Sequence, residues 1–255
     1  MPLNRRLMKT KAVLFLLLMA GMLVSPTSSA QGRSAASPDS DFESFLLPEI
    51  RADHPAIANV DVLLDVGHGG IDSGTVYGDV LEKDINLAIA QKTYETLRKR
   101  GYCVLLNRSG DYALSSENLW LRSRSRHVKD LAQRSHLANE VKPKMLLSLH
   151  INSARRSGKR GPLIIHQKNE QSKQLAIALQ TALNPLYGTT EEPVMMGKKY
   201  YILRHTKVPA VIVEMGFLTN AQDRAMLQKQ DMQWSIAAKI ADGVKQYMSQ
   251  QQQQQ

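Results

Sequence analysis

The chain has 255 residues, of which 33 are basic and 23 are acidic, and it contains one cysteine. This length is sufficient for one sizeable domain with a hydrophobic core. The single cysteine excludes an intrachain disulfide framework. The net charge of +10 favours contact with anionic polymers, although charge alone does not identify one.

The N-terminal 30 residues are typical of an export signal. Basic residues precede an apolar run at residues 12–24, which is short for a membrane span and suited to the core of a signal peptide. Ser28 and Ala30 then fit a cleavage site. We therefore predict a signal peptide over residues 1–30 and an exported protein, with an uncleaved anchor as the alternative.

The rest of the chain divides into a polar start and a regular pattern. Residues 31–60 are predicted to form a linker and N-terminal extension. From Val62 onward, short apolar runs alternate with helical patterns. The predicted strands are VDVLLDV, YCVLLNR, KMLLSLH, GPLIIHQ, KYYILRH and AVIVEMG. The predicted helices cover about residues 82–100, 117–140, 170–184, 220–229 and 232–248.

The predicted strands are apolar without strict alternation, which is typical of strands that are buried on both faces. The pattern predicts an α/β fold with a single six-stranded, mostly parallel sheet and helices on both faces. Arg122, Arg126 and Lys129 share one face of the second predicted helix and are interpreted as solvated surface. Residues 249–255, which are almost entirely glutamine, are predicted to be a disordered tail.

Three of these strands end at ionisable residues: the first at His68, the third at His150 and the sixth at Glu214. Functional sites of α/β sheets lie at the carboxyl ends of strands, so we expect these side chains to meet at one edge. His68 lies in the glycine-rich sequence LLDVGHGGIDSG. This is not a dinucleotide-binding loop, because Asp72 replaces the third glycine and no helix follows at once.

A metal site fits this edge better than a phosphate site. Zinc accepts imidazole and carboxylate ligands, and a catalytic zinc keeps three protein ligands and one open position. Glu82 opens the helix that follows the glycine-rich corner, where the helix dipole favours a carboxylate. From the spacing alone, Asp65, Asp72 and Asp84 are also candidates for the third ligand.

Four motifs carry a family resemblance. They are LLDVGHGGIDSG, LEKDINLAIA, LSLHINS and VPAVIVEMGFLTN, and the shorter NRSGD follows the second strand. Together they resemble the zinc-dependent N-acetylmuramoyl-L-alanine amidases of type 3 over about residues 61–247. The resemblance implies a catalytic domain over residues 61–248 with a six-stranded α/β sheet.

The resemblance also implies the chemistry and the site. One zinc ion would be bound by His68, Glu82 and His150, and Glu214 would be the catalytic acid–base residue. The implied reaction is hydrolysis of the amide between N-acetylmuramic acid and L-alanine in peptidoglycan. The implied location is the cell envelope, in the periplasm or outside the cell. The alternatives are a peptidoglycan-binding protein without activity and a zinc peptidase that cuts within the stem peptide.

Further residues are expected to contact substrate. Arg108 is a candidate for binding a stem-peptide carboxylate, with a surface ion pair as the alternative. Asn152 is a candidate for hydrogen bonding to substrate, with a role in the turn after His150 as the alternative. The long spacer YALSSENLWLRSRSRHVKDLAQR is similar to that of the germination-specific amidases of spore formers.

The partners follow from the same resemblance. We expect peptidoglycan as the substrate, no nucleic acid, and a monomer. Some division amidases carry a long self-blocking helix after the second histidine ligand. Here only SARRSGKR separates that motif from the next strand. Control is therefore expected to come from an activator protein that the sequence does not identify.

Overall fold

A computed structural model describes residues 59–189 and 194–253. The predicted signal peptide and linker therefore lie outside the described residues. The strands are β1 (Val62–Val66), β2 (Val76–Tyr77), β3 (Val80–Leu81), β4 (Val104–Leu106), β5 (Met145–Asn152), β6 (Leu163–His166), β7 (Met195–Met196) and β8 (Ala210–Phe217). The helices are α1 (Glu82–Lys99), α2 (Arg126–Val141), α3 (Glu170–Tyr187), α4 (Tyr201–His205), α5 (Ala221–Leu227) and α6 (Gln230–Gln253), with a short 3₁₀ turn at Leu114–Ser116.

Six strands form one sheet in the order β4-β1-β5-β8-β6-β7, and β2 and β3 form a separate hairpin. Strands β4, β1, β5 and β8 are mutually parallel, whereas β6 is antiparallel to β8. This confirms the predicted six-stranded, mostly parallel α/β sheet. The carboxyl ends of β1, β5 and β8 consequently lie side by side at one edge, which we call the catalytic edge.

Helices cover both faces of the sheet because successive strand side chains point in opposite directions. Leu64, Leu147 and Val213 belong to a core shared with α1, α3 and α6. Leu63 and Leu146 belong to the core on the other face, shared with α2 and α4. No helix within the described ranges has the length and apolar character needed to cross a membrane.

Three local predictions were wrong. The sequence KYYILRH contains helix α4 instead of a strand, and the remaining sheet strand is the two-residue β7. Helix α2 begins at Arg126 instead of about residue 117, because Ser125 caps it by accepting a hydrogen bond from Val128 N. Helix α6 continues through Gln253, so the predicted disordered tail is helical as far as the structure describes it.

Candidate active site and metal centre

The chain turns sharply just after β1, at the first candidate metal ligand, His68. His68 has φ 60°, and it follows Gly67, whose N–H donates the last ladder hydrogen bond to Leu149 O at 3.1 Å. A Cβ at Gly67 would lie 2.6 Å from His150 Nε2. Glycine at this position therefore lets the second histidine pack directly against the backbone of the corner that carries the first.

Two histidines and a glutamate converge at this corner. His68 Nε2 lies 3.2 Å from Glu82 Oε1, and His150 Nδ1 lies 3.1 Å from the same oxygen. One donor atom from each of the three residues lies within 4.8 Å of the others. The structure therefore brings together the three residues that the sequence proposed as ligands, and it does so from three separate elements.

Glu82 is fixed in place by the backbone around it. Its side chain is buried, and Oε1 accepts a hydrogen bond from Ile151 N at 3.0 Å while Oε2 accepts one from Thr75 N at 2.7 Å. Burial would raise the pKa of Glu82, but the hydrogen bonds and charges of His150 and His68 outweigh it and hold the pKa well below its usual range. The carboxylate therefore stays ionised at neutral pH.

Asp72 orients His68. The ring Nδ1–H of His68 donates to Asp72 Oδ2 at 2.8 Å, so that Nε2 is the ring nitrogen directed at the cluster. Burial lowers the pKa of His68, but the hydrogen bonds to Asp72 and Glu82 outweigh it and raise the pKa to about 9. The hydrogen bond with His68 lowers the pKa of Asp72 to about 2. Asp72 thus contacts His68 and lies outside the group of three residues whose donor atoms converge.

The donor set fits a zinc ion. Two ligand atoms bound tetrahedrally at 2.0–2.1 Å lie about 3.3 Å apart, close to the separations between Glu82 Oε1 and the two imidazole nitrogens. The set combines imidazole with carboxylate, and the histidine–carboxylate support is one that ligating histidines commonly have. The cluster lines an open cleft that leaves room for substrate beside it.

Glu214 lies beside the cluster without belonging to it. It pairs in register with His150 across β5 and β8 and lines the same cleft. It is 8 % exposed, and within the described residues its Oε2 has no hydrogen-bond partner. Burial raises the pKa of Glu214 to about 7. A carboxyl group with that pKa can both accept and release a proton near neutral pH.

Arg108 does not face the cleft. Its side chain is 1 % exposed, and it donates to Val66 O at 3.1 Å, Gly67 O at 2.9 Å, Lys83 O at 3.0 Å and Gly110 O at 2.9 Å. This placement argues against both the expected substrate carboxylate and the surface ion pair. Arg108 ties the backbone of the His68 corner to the first turn of α1.

A second buried arginine supports the corner from α2. Arg134 donates to Val66 O at 2.6 Å and His68 O at 2.8 Å, and it pairs with Asp65 and Asp130. The sequence analysis did not identify this residue. The spacing of Asp130 and Arg134 by four positions on a helix was the available signal, but such pairs are usually exposed.

Asn152 lies at the end of β5 and lines the cleft with Glu214. Its Oδ1 accepts a hydrogen bond from Ser153 N at 2.7 Å, and its backbone oxygen accepts one from Leu218 N at 2.9 Å. These bonds fit the turn role that was the alternative for this residue. The side chain also lines the cleft through which substrate would approach.

Replacing Asp72 by asparagine should weaken metal binding about 10- to 100-fold. The uncharged amide would no longer hold the proton on Nδ1 of His68 as the carboxylate does. The measurement is a competition titration with a chromophoric chelator. Asp79→Asn, in the exposed turn between β2 and β3, is the matched control and should bind metal normally. Equal affinity for the two variants would contradict the supporting role of Asp72.

Comparisons with known proteins agree with this geometry. A family model described as N-acetylmuramoyl-L-alanine amidase matches residues 62–246. The germination-specific N-acetylmuramoyl-L-alanine amidase of Bacillus subtilis (strain 168) is 30% identical over 191 residues, which cover 74% of this chain and 79% of that protein.

Solved structures show the same likeness. The CwlD amidase of Clostridioides difficile, in complex with the GerS lipoprotein, is 31% identical with a TM-score of 0.70 and covers 75% of this chain and 99% of its own. The catalytic domain of CwlV, an N-acetylmuramoyl-L-alanine amidase of Bacillus (Paenibacillus) polymyxa, is 32% identical with a TM-score of 0.63. It covers 74% of this chain and 98% of that structure.

Proposed function

The chain belongs to the N-acetylmuramoyl-L-alanine amidase family, and we propose that it is a zinc-dependent amide hydrolase acting on peptidoglycan outside the cytoplasm. The observation that carries the zinc proposal is the convergence of His68, Glu82 and His150. Glu214 beside them supplies a proton-transfer group that a purely binding protein does not need. The bond proposed to be cleaved joins the lactyl carbonyl of N-acetylmuramic acid to L-alanine.

The proposed ligands are His68 through Nε2, His150 through Nδ1 and Glu82 through Oε1. When bound there, zinc would polarise the amide carbonyl and make water a stronger nucleophile at neutral pH. His68 is kept in the ligating tautomer by Asp72. Glu82 is kept ionised by the neighbouring imidazoles of His150 and His68.

Glu214 would move the proton. As water attacks the carbonyl carbon, the ionised carboxylate accepts a proton, and the resulting acid then donates it to the departing amino group of L-alanine. Its pKa of about 7 suits both steps. Burial between the strands limits hydration of the carboxylate and is the cause of that pKa.

The experiment that tests the function is digestion of purified peptidoglycan. We expect new L-alanine amino termini and muramic acid freed of peptide, both detected by mass spectrometry. Treatment with a chelator should abolish their release, and added zinc should restore it. Peptides that still carry muramic acid would instead favour a zinc peptidase, and substrate retention without any product would favour a binding protein.

We propose the finer assignments on separate grounds. Residues 1–30 would direct export, and residues 61–248 would be the catalytic domain. The germination-specific relative and the long spacer support a role in spore wall. A related amidase was solved with a lipoprotein, which supports the proposal that an activator protein controls this chain as well. The protein itself is proposed to be a monomer.

A further inference from the structure

The edge of the sheet opposite the catalytic edge is basic. Strands β1, β5 and β8 begin there, and β6 and β7 end there because they run the other way. We call this surface the basal edge and define it by residues 59–61, 142–144, 167–169 and 197–209. It carries seven exposed cations: Lys142, Lys144, Lys168, Lys198, Lys199, Arg204 and Lys207.

Within the described residues, only one of these cations has an acidic partner. Among residues 59–189 and 194–253, a salt bridge joins Lys144 to Asp61, and none is found for the other six cations. The exposed acids next to this edge, Glu140 and Glu170, are fewer than the cations. Glu140 also lies 3.9 Å from His136. A positive potential of this kind attracts an anionic surface.

Three of the cations share one concave pocket. Lys168, Lys198 and Arg204 line a cavity of about 370 Å³, together with Asn169 and Met196 and without any carboxylate. This volume lies within the usual range for small-ligand pockets, which begins at about 300 Å³. The chemistry of the lining suits a phosphate group.

Exposed apolar side chains lie beside the same cations. Met195 and Met196 are each 40% exposed and Tyr200 is 38% exposed. The two methionines form β7, the outermost strand of the sheet. Basic and apolar groups on one surface are the combination that binds at the headgroup level of a bilayer. A soluble anionic polymer would leave the methionines in water.

The N-terminal segment joins the fold at the basal edge. Lys144 N donates to Val60 O at 3.0 Å, so the chain enters here before β1. The preceding sequence includes the apolar run at residues 12–24. Residue 59, where the described part of the chain begins, thus lies at the basal edge, and the catalytic edge lies on the far side of the sheet.

We propose that the basal edge docks on an anionic phospholipid membrane, with the pocket of Lys168, Lys198 and Arg204 receiving a lipid phosphate. The proposal rests on the proposed extracytoplasmic function, because docking in this orientation turns the metal cluster toward the wall. Each cation near an anionic bilayer strengthens binding by about fivefold at moderate salt. Removing three is therefore expected to weaken it on the order of 100-fold.

The test measures sedimentation of the full chain with vesicles of phosphatidylcholine alone and of phosphatidylcholine with phosphatidylglycerol. The quantity compared is the gain in binding caused by the anionic lipid, because the apolar run contributes to both vesicle types. We expect Lys168→Gln/Lys198→Gln/Arg204→Gln to lose on the order of 100-fold of that gain. Added salt should weaken the unaltered protein in the same way.

The control is Arg122→Gln/Arg124→Gln/Arg156→Gln, which removes the same charge from exposed positions outside the basal edge. This control variant should keep the increase in vesicle binding that the anionic lipid causes. Equal losses in both triple variants, or binding to isolated anionic wall polymer without any gain from anionic lipid, would overturn the proposal. Neither vesicle binding nor binding to wall polymer depends on amidase activity. The basal-edge variant should hydrolyse soluble muropeptides as the unaltered protein does.

Discussion

Glu214→Gln should lower kcat by about 100- to 10,000-fold while leaving the metal in place. The amide has nearly the same shape as the carboxyl group but cannot accept the proton from attacking water. Since the carboxylate must be ionised to act as the base, kcat/KM of the unaltered protein should fall as the pH drops below about 7. The measurements are turnover of muropeptides across pH and zinc content by elemental analysis.

Two results would argue against this role. Near-normal turnover in Glu214→Gln would remove the residue from the reaction. Loss of zinc in the same variant would mean that the carboxylate holds the ion and does not move the proton. Glu170→Gln, an exposed glutamate at the start of α3, is the matched control and should keep both activity and metal.

His68→Ala should lose the metal and, with it, peptidoglycan hydrolysis. Loss of a hydrogen-bond partner of a ligand weakens metal binding by up to about 100-fold. Loss of the ligand itself should weaken zinc binding by more than about 100-fold. Zinc content and affinity are the measurements. Full occupancy at stoichiometric zinc would show that the ligand set is wrongly assigned.

A second variant distinguishes loss of a metal ligand from disturbance of the backbone at His68. His68 has a positive φ that a replacement tolerates poorly, whereas His150 lies within strand β5. His150→Ala should therefore also lose zinc, without replacing a residue that has a positive φ. His136→Ala removes an exposed histidine on α2 and should retain zinc and activity. Thermal unfolding of each variant shows whether the fold is kept.

Much of the fold was predictable because its signals are local. Continuous apolar runs marked β1, β5 and β8, which lie at the centre of the sheet. The run KYYILRH failed because a short apolar segment does not distinguish a strand from a buried helix, and Ile202 and Leu203 pack beneath the sheet as a helix. β7 has only two residues and is defined by pairing with β6.

The glutamine tail was misjudged for a related reason. Low complexity suggested disorder, but glutamine is a good helix former. The helix α6 was already established by packing on α1 and α3, and Gln251 donates to Gln174 at 3.1 Å. Tertiary contacts of this kind cannot be read from composition.

The candidate site was predictable in part. Strand ends indicated the two histidines, whereas spacing left four carboxylates open as the third ligand, and only the family resemblance selected Glu82. The supporting arginines could not be predicted, since charged side chains are usually exposed. Buried Arg108 and Arg134 donate to backbone carbonyl groups of the corner, and only the three-dimensional path of the chain brings these groups to them.

The arginine–carbonyl bonds at the corner have a consequence for how the proposed zinc ion would bind. They fix the path of the chain through Val66, Gly67 and Lys83 without using any donor atom of the proposed ligand set. Binding of zinc should therefore demand little reorganisation, and removal of the ion should leave an apoprotein that still has its architecture. Inactivation by chelation should accordingly be reversible, with recovery as fast as the ion can diffuse in and displace the imidazole proton.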